Sequence, residues 1–186
     1  NHLDAKNSRH AALDQITPAN VGTMGVRWLY HTRNAGSTPI VVDGLMYVSS
    51  SDSVVALDAA TGRLVWSNTK VGASRGVAYG DGRIYLAKDV RVCARDAKTG
   101  EPVASFGDAG VSNAVTEMLK ARFPEIGKPN EWGYSINMVP QVGNGVIVVG
   151  TALSENHIPG GMIVGIDAKS GKPLWKFMGV PQGPGD

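Results

Sequence analysis

The chain holds a single cysteine in 186 residues, Cys93, so neither an intrachain disulfide framework nor a Cys-x-x-Cys metal or redox site is available to it. Charge is scarce: 18% of residues are charged, 18 Lys+Arg against 16 Asp+Glu. This near balance argues against nucleic acid or an anionic membrane as partner. Aromatics make up 6%. No apolar run approaches the roughly 18–20 residues of a membrane-spanning helix. No Gly-x-Gly-x-x-Gly opens a helix, and no phosphate loop or nucleophile elbow is present, so nicotinamide and nucleotide chemistry have no support. The chain starts at Asn1 with no charged-then-apolar leader, which reads as a removed targeting peptide or a cut start. What is abundant is glycine, 24 residues, nearly twice the usual ~7%. With ten prolines and 42% hydrophobic residues, this describes a turn-rich, all-β protein with a buried core.

Internal repetition organises the chain. Three segments match: Ala56–Trp66, Ala94–Ala104 and Gly165–Trp175, each built on Asp-x-x-Thr/Ser-Gly. Upstream of each lies a hairpin signal, Asp43-Gly44, Asp81-Gly82 and Asn144-Gly145. Gly44 to Asp58 and Gly82 to Asp96 are both 14 residues; Gly145 to Asp167 is 22, so the third unit carries eight extra residues. The units are short runs rich in Val, Ile and Tyr, joined by turns. Asp58 and Asp96 lie 38 residues apart, as do Trp28 and Trp66. A period near 40 with several short strands predicts one four-stranded propeller blade per repeat, with Trp28 marking an earlier, incomplete unit. The expectation is a single partial β-propeller over 1–186, an arc of about four blades. Trp66 and Trp175 should occupy equivalent buried positions between blades, each indole N–H bonded to backbone. Ala104 breaks this pattern, so that junction needs another filler. An insertion over 107–131 should contain a helix at 112–123. There Ser112 is its cap, Val115, Met118, Leu119 and Phe123 form its apolar stripe, and Pro124 is its stop. Cys93, in a strand, reads as a small buried hydrophobe.

The repeat resembles the tryptophan-docking repeat of pyrroloquinoline quinone (PQQ) dehydrogenases, of the glucose, polyol and alcohol type. The resemblance rests on Ala56–Trp66. It is extended by Leu13–Val21 followed by Trp28, by Ser37–Val48, by Ser74–Leu86 and by His157–Phe177, in order along nearly the whole chain. It implies an eight-bladed propeller exported to the periplasm, either free there or membrane-associated. Such an enzyme oxidises an alcohol or sugar by hydride transfer to PQQ, with calcium as Lewis acid and an electron acceptor such as a cytochrome or quinone. By position, Arg75, Thr151 and Asn137 would contact the cofactor and Glu155 would bind calcium. Arg75, Thr151 and Glu155 would converge on the propeller axis. Each has a plainer reading: a surface arginine, an ordinary strand-end threonine, an asparagine capping a strand, a solvated loop carboxylate. His157 would serve the loop or the site. The catalytic base would lie beyond Asp186, so the rest of the propeller or another copy of the chain would be needed.

Two departures stand out. The stretch Lys70–Ser74 lacks the adjacent cysteines of many alcohol-oxidising members, which leans toward sugars and polyols. Gly36 and Ser37 stand where many members have Glu before Thr-Pro. The alternative is a non-catalytic propeller of the same repeat type, serving as an envelope scaffold or protein-binding module.

Overall fold

A computed structural model describes residues 14–32, 37–73, 75–151, 160–181 and 183. The strands are β1 (Ile40–Val42), β2 (Leu45–Ser49), β3 (Val54–Asp58), β4 (Leu64–Asn68), β5 (Ala78–Gly80), β6 (Arg83–Lys88), β7 (Arg91–Asp96), β8 (Val111–Ser112), β9 (Gln141–Gly143), β10 (Val146–Gly150), β11 (Met162–Asp167) and β12 (Pro173–Met178). They form three four-stranded antiparallel meanders, β1 to β4, β5 to β8 and β9 to β12. These are three blades of a propeller arc, and the segment around Trp28 docks on the first. The 14-residue offset from Gly44 to Asp58 contains two strands and a turn, which completes the four-stranded count. At the first hairpin of each blade both central residues are left-handed: φ is 49° and 77° at Asp43 and Gly44, 49° and 73° at Asp81 and Gly82, and 49° and 74° at Asn144 and Gly145. These turns match the right-handed twist of the strands they join.

Period-2 alternation splits the middle blade between two cores. From β6 and β7, Ile84, Leu86 and Cys93 join Tyr47, Ala56 and Trp66 of the first blade. Tyr85, Ala87, Val92 and Ala94 join Ile147, Val149, Val164 and Ile166 of the third. Burial holds the Cys93 thiol above its ordinary pKa, as suits a small hydrophobe.

The junctions are built on the Asp-x-x-Thr/Ser-Gly turns. Trp28 Nε1 donates to Ala59 O at 3.1 Å, and Trp66 Nε1 to Ala97 O at 2.9 Å. Each ring lies where a Cβ on the turn glycine would sit, 2.6 Å from the built position at Gly62 and at Gly100. Tyr47 Oη also donates to Ala97 O, at 3.2 Å, and burial pushes its pKa up to about 12, keeping that proton in place. In each turn the aspartate folds back on its own loop. Asp58 Oδ1 accepts from Thr61 N and Oγ1 at 2.8 and 2.7 Å, Asp96 Oδ1 from Thr99 N and Oγ1 at 2.9 and 3.1 Å, and Asp167 Oδ1 from Ser170 N and Oγ at 2.6 Å each. The Thr61 and Ser170 hydroxyls hold the Asp58 and Asp167 carboxyls below their ordinary pKa. At Asp96 partial burial acts upward, but the bonds from Thr99 and Lys98 outweigh it and the net shift is also down.

The second-to-third junction differs, as Ala104 requires. Phe106, fully buried, takes the tryptophan's place, 3.3 Å from the built Cβ at Gly171 and 5.7 Å from the Tyr85 ring. Tyr85 Oη and Arg83 Nη1 both donate to Ala168 O at 2.9 Å. Gly107 N donates to Ser170 O and Ser112 Oγ to Gly171 O. The chain leaves the sheet edge after Pro102, because Gly107, Ala109 and Gly110 are all left-handed, with φ of 55°, 48° and 90°. The fourth strand of this blade is therefore β8, inside the 107–131 stretch, and does not follow Gly100 directly.

Helix α1 (Ala114–Arg122) forms where the apolar stripe predicts, with Val115 and Leu119 buried and Met118 and Phe123 packed against the same core. Its N-cap position is Asn113; Ser112 Oγ instead accepts the Ala114 N–H at 3.2 Å. No described helix is long and apolar enough to cross a membrane.

One expectation fails. Trp66 is 9% exposed, but Trp175 is 43% exposed. Trp66 is closed over by the next blade's turn, whereas Trp175 lies on Gly165 of its own sheet with no further turn above it among the described residues. Leu174 and Phe177 on the same strand are also exposed.

Trp66→Ala is expected to cost ~3–5 kcal/mol in denaturant unfolding. Gly82 and Gly100 have nearly equal φ, but nothing lies within 4 Å of a Cβ at Gly82. Gly82→Ala should therefore report left-handed strain alone, ~1–2 kcal/mol, and Gly100→Ala should cost a further ~1–3 kcal/mol by displacing Trp66. Equal costs would separate the glycine from the indole. The depressed carboxyls contribute stability that is whole above the ordinary carboxylate range and is lost as pH falls through their lower folded pKa values. Asp96→Asn should flatten the acid limb of a stability profile measured from about pH 5 to 2.

Candidate active site at the axial mouth

The inner strands β1, β5 and β9 line a cavity of about 350 Å³, walled by Ile40, Val42, Val77, Tyr79, Pro140 and Val142. At one end the leading loops of all three converge on Gly76. A Cβ there would lie 3.3 Å from Val139 Cγ2, 3.7 Å from Ser37 Cβ and 3.9 Å from Thr38 O, and its φ is 123°. Glycine is required twice over, by conformation and by close approach. Equivalent positions of successive blades meet here, as repetition about an axis demands.

The first two loops are tied by serines. Ser37 Oγ donates to Ser49 O at 2.7 Å, and Ser49 Oγ donates to Ala73 O at 2.8 Å. Ser49 is fully buried. Ser37 opens the matching segment Ser37–Val48 and also stands where many family members differ, but its sequence context does not announce the tie to Ser49. The signal available was a serine at the strand end of the first blade, at the register place that Gly150 holds in the third. Gly72 completes the seal, since a Cβ there would overlap the backbone of Ser50, Asp52 and Ser53.

Arg75, next to Gly76, is exposed, and its guanidinium makes no hydrogen bond or ion pair among the described residues. Asn137 is exposed in the third loop, two residues before Val139. Thr151 is buried at 8% exposure and already engaged: its Oγ1 accepts the Met162 N–H at 2.9 Å and faces Met162 O at 3.3 Å. Its hydroxyl thus closes the β10–β11 ladder. Glu155 and His157 lie outside the described residues, as do Gly36 and Ser74. The structure therefore brings the loops of Arg75 and Asn137 to one mouth and leaves the convergence of Glu155 untouched. Among the described residues no group of three His, Cys, Asp or Glu could hold a metal ion. An exposed guanidinium without a partner among the described residues is chemically suited to an anionic ligand bearing carboxylates.

Comparison with known proteins identifies relatives that share the propeller fold. The family model described as "PQQ: Glucose/ethanol/alcohol dehydrogenase, beta-propeller domain" matches residues 2–186. The chain is 34% identical to quinohemoprotein alcohol dehydrogenase ADH-IIG of Pseudomonas putida, over 95% of this chain and 24% of that protein. It is also 34% identical to the dehydrogenase subunit of alcohol dehydrogenase (quinone) from Gluconacetobacter polyoxogenes, over 93% of this chain and 24% of that protein. The crystal structure of quinohemoprotein alcohol dehydrogenase from Comamonas testosteroni superposes with a TM-score of 0.77 at 31% identity, over 98% of this chain and 27% of that one. The chain thus spans about a quarter of the length of the relatives it matches.

Two substitutions separate fold from site. Arg75→Ala should leave the unfolding midpoint within ~0.5 kcal/mol of the parent, as for exposed residues without partners. Thr151→Val leaves the buried Met162 N–H with one acceptor fewer and should cost ~1–3 kcal/mol. The reverse ranking in a urea titration would mean that Arg75 is structural.

Proposed function

The chain belongs to the β-propeller domain family of PQQ glucose/ethanol/alcohol dehydrogenases, and from that premise we propose that it supplies one wall of the cofactor site of a PQQ-dependent oxidoreductase acting on alcohols. The observation that carries this reading is the placement of Arg75, an unpaired cation at the meeting point of three inner-strand loops. The curated relatives are named as alcohol dehydrogenases, which moves the balance from sugars and polyols toward alcohols.

PQQ, when bound, supplies the electron sink for a hydride leaving the substrate carbon. The residues of this chain bind and orient. Arg75 offers a fixed positive charge and a planar set of donors, suited to a cofactor carboxylate. Asn137 offers an amide at the third loop. Thr151 works through the backbone, holding the end of β10, four residues before Glu155 in the sequence. Glu155 is our proposed calcium ligand, a hard oxygen donor of the kind that ion prefers. The axial cleft beneath is open to solvent and is lined by Ile40, Val42, Val77, Tyr79, Pro140 and Val142 together with Gln141, so it offers the cofactor both apolar side chains and polar groups. The base, the remaining metal ligands and the rest of the propeller would come from the part of the relatives' length that this chain does not span. We further propose a periplasmic location, and a quinone or cytochrome as electron acceptor, the quinone in line with the name of the Gluconacetobacter relative.

The test is a PQQ titration in the presence of calcium, on the whole enzyme, followed by absorbance. Arg75→Ala should raise the Kd for PQQ about tenfold or more, the loss of one charge-assisted contact, with the melting temperature unchanged. Glu155→Ala should weaken calcium binding more than folding. Unaltered PQQ affinity in Arg75→Ala would remove the cation from the site and return the scaffold reading.

A further inference from the structure

The first and second blades meet a second time, at the outer edge of the arc, where the inner strands contribute nothing. Here Arg95 of β7 faces the first blade, on the same side of its strand as Cys93. It is only 7% exposed, although it follows Val92, Cys93 and Ala94 in a strand otherwise apolar at its centre. Its Nη1 donates to Ala94 O at 3.0 Å. Its Nε is buried and has no hydrogen-bond partner. No carboxylate pairs with it among the described residues. Gly110 makes room for the group: a Cβ there would lie 3.0 Å from Nη1, and φ is 90°. The guanidinium is thus a buried positive charge with no ion-pair partner among the described residues.

The group does not lie in a sealed core. It borders an open cavity of about 230 Å³ whose other walls include Ser67, Thr69, Lys70 and Glu101. Lys70 is exposed at this rim and adds a second positive charge. Nε itself is closed to solvent, so it is the outer edge of the guanidinium, with its terminal N–H groups, that can grip an oxyanion in the cavity. A planar carboxylate is satisfied by that edge alone. A tetrahedral oxyanion has oxygens left over, which the Lys70 ammonium and the Ser67 and Thr69 hydroxyls can meet from the opposite blade. We propose that this cavity is a binding site for a small tetrahedral oxyanion of the phosphate class, which supplies the missing counter-charge to Arg95 and ties the outer edges of the first two blades together. Glu101 is the one opposing group on the wall. It is exposed, so its charge is screened by solvent and weakens the site without closing it.

The experiment titrates inorganic phosphate into the full chain at constant ionic strength, with chloride as the balance and acetate in a parallel arm, reading melting temperature and heat. A saturable rise with phosphate, absent with acetate and lost in Arg95→Met, is the expected result. Lys70→Gln should weaken the phosphate Kd and Glu101→Gln tighten it, each by about two- to fivefold, as for exposed charges near a site. Because Arg95→Met replaces a buried side chain and has the greater chance of not folding, this exposed pair decides the matter without it. Opposite shifts in Kd support the site. No saturable phosphate effect, saturation by acetate alone, an undiminished effect in Arg95→Met, or a Kd indifferent to both Lys70→Gln and Glu101→Gln would overturn it. So would a double-mutant cycle showing that Glu101 is itself the counter-ion of Arg95 in solution.

Discussion

An indole N–H bonded to the alanine carbonyl of the next blade's turn, with the ring lying on that turn's glycine, is the contact on which this arc depends. Trp28 makes it to Ala59 and Gly62, and Trp66 makes it to Ala97 and Gly100. The contact fixes both the distance between blades and their rotation, because the hydrogen bond and the ring face constrain different directions. It also explains why the turn sequence is so restricted. The glycine provides a left-handed residue and empty space at once, while the aspartate collects the turn's amide and hydroxyl donors and so presents the alanine carbonyl outward. At the third junction the same acceptor, Ala168 O, is satisfied by Tyr85 and Arg83, and Phe106 fills the space over Gly171. The chemistry of the acceptor is kept while the donor is exchanged.

Once blade spacing is set, the inner strands have little choice. Their leading loops meet around Gly76, and whatever those loops carry is delivered to the axial mouth. The segment that carries Arg75 and Gly76 comes to that meeting point by topology, not by any local signal. Function in this fold is thus a matter of which residues occupy equivalent register places, and the outer faces remain free for stabilising devices such as the charged cavity beside Arg95.

Much of this was legible in the sequence because it is local and repeated. Asp-Gly and Asn-Gly name their own turn type, and the 14-residue offset from turn glycine to turn aspartate shared by the first two units gives the strand count. The stripe through Val115 and Leu119 gives the helix. What failed was non-local. Trp175 matches Trp66 letter for letter, but burial depends on the turn that closes over it, and no neighbouring letters encode that. The detour through Gly107, Ala109 and Gly110 postpones the fourth strand of the middle blade to Val111–Ser112. Its three left-handed positions could have been suspected from two glycines in four residues. The engagement of Thr151 with Met162 depends on a strand pairing across the eight extra residues of the third unit, and a residue-by-residue resemblance does not convey it. Arg95 was visible only as a charge in an apolar strand.

The central claim is that tryptophan-docked blades deliver Arg75 to a cofactor at the axial mouth. A crystal structure of the whole enzyme grown with PQQ and calcium tests it most directly. The account requires the Arg75 guanidinium within about 3 Å of a cofactor carboxylate oxygen, with Gly76 still enclosed by the Ser37 and Val139 loops. A cofactor bound elsewhere, or Arg75 turned to solvent with the quinone in place, would contradict it.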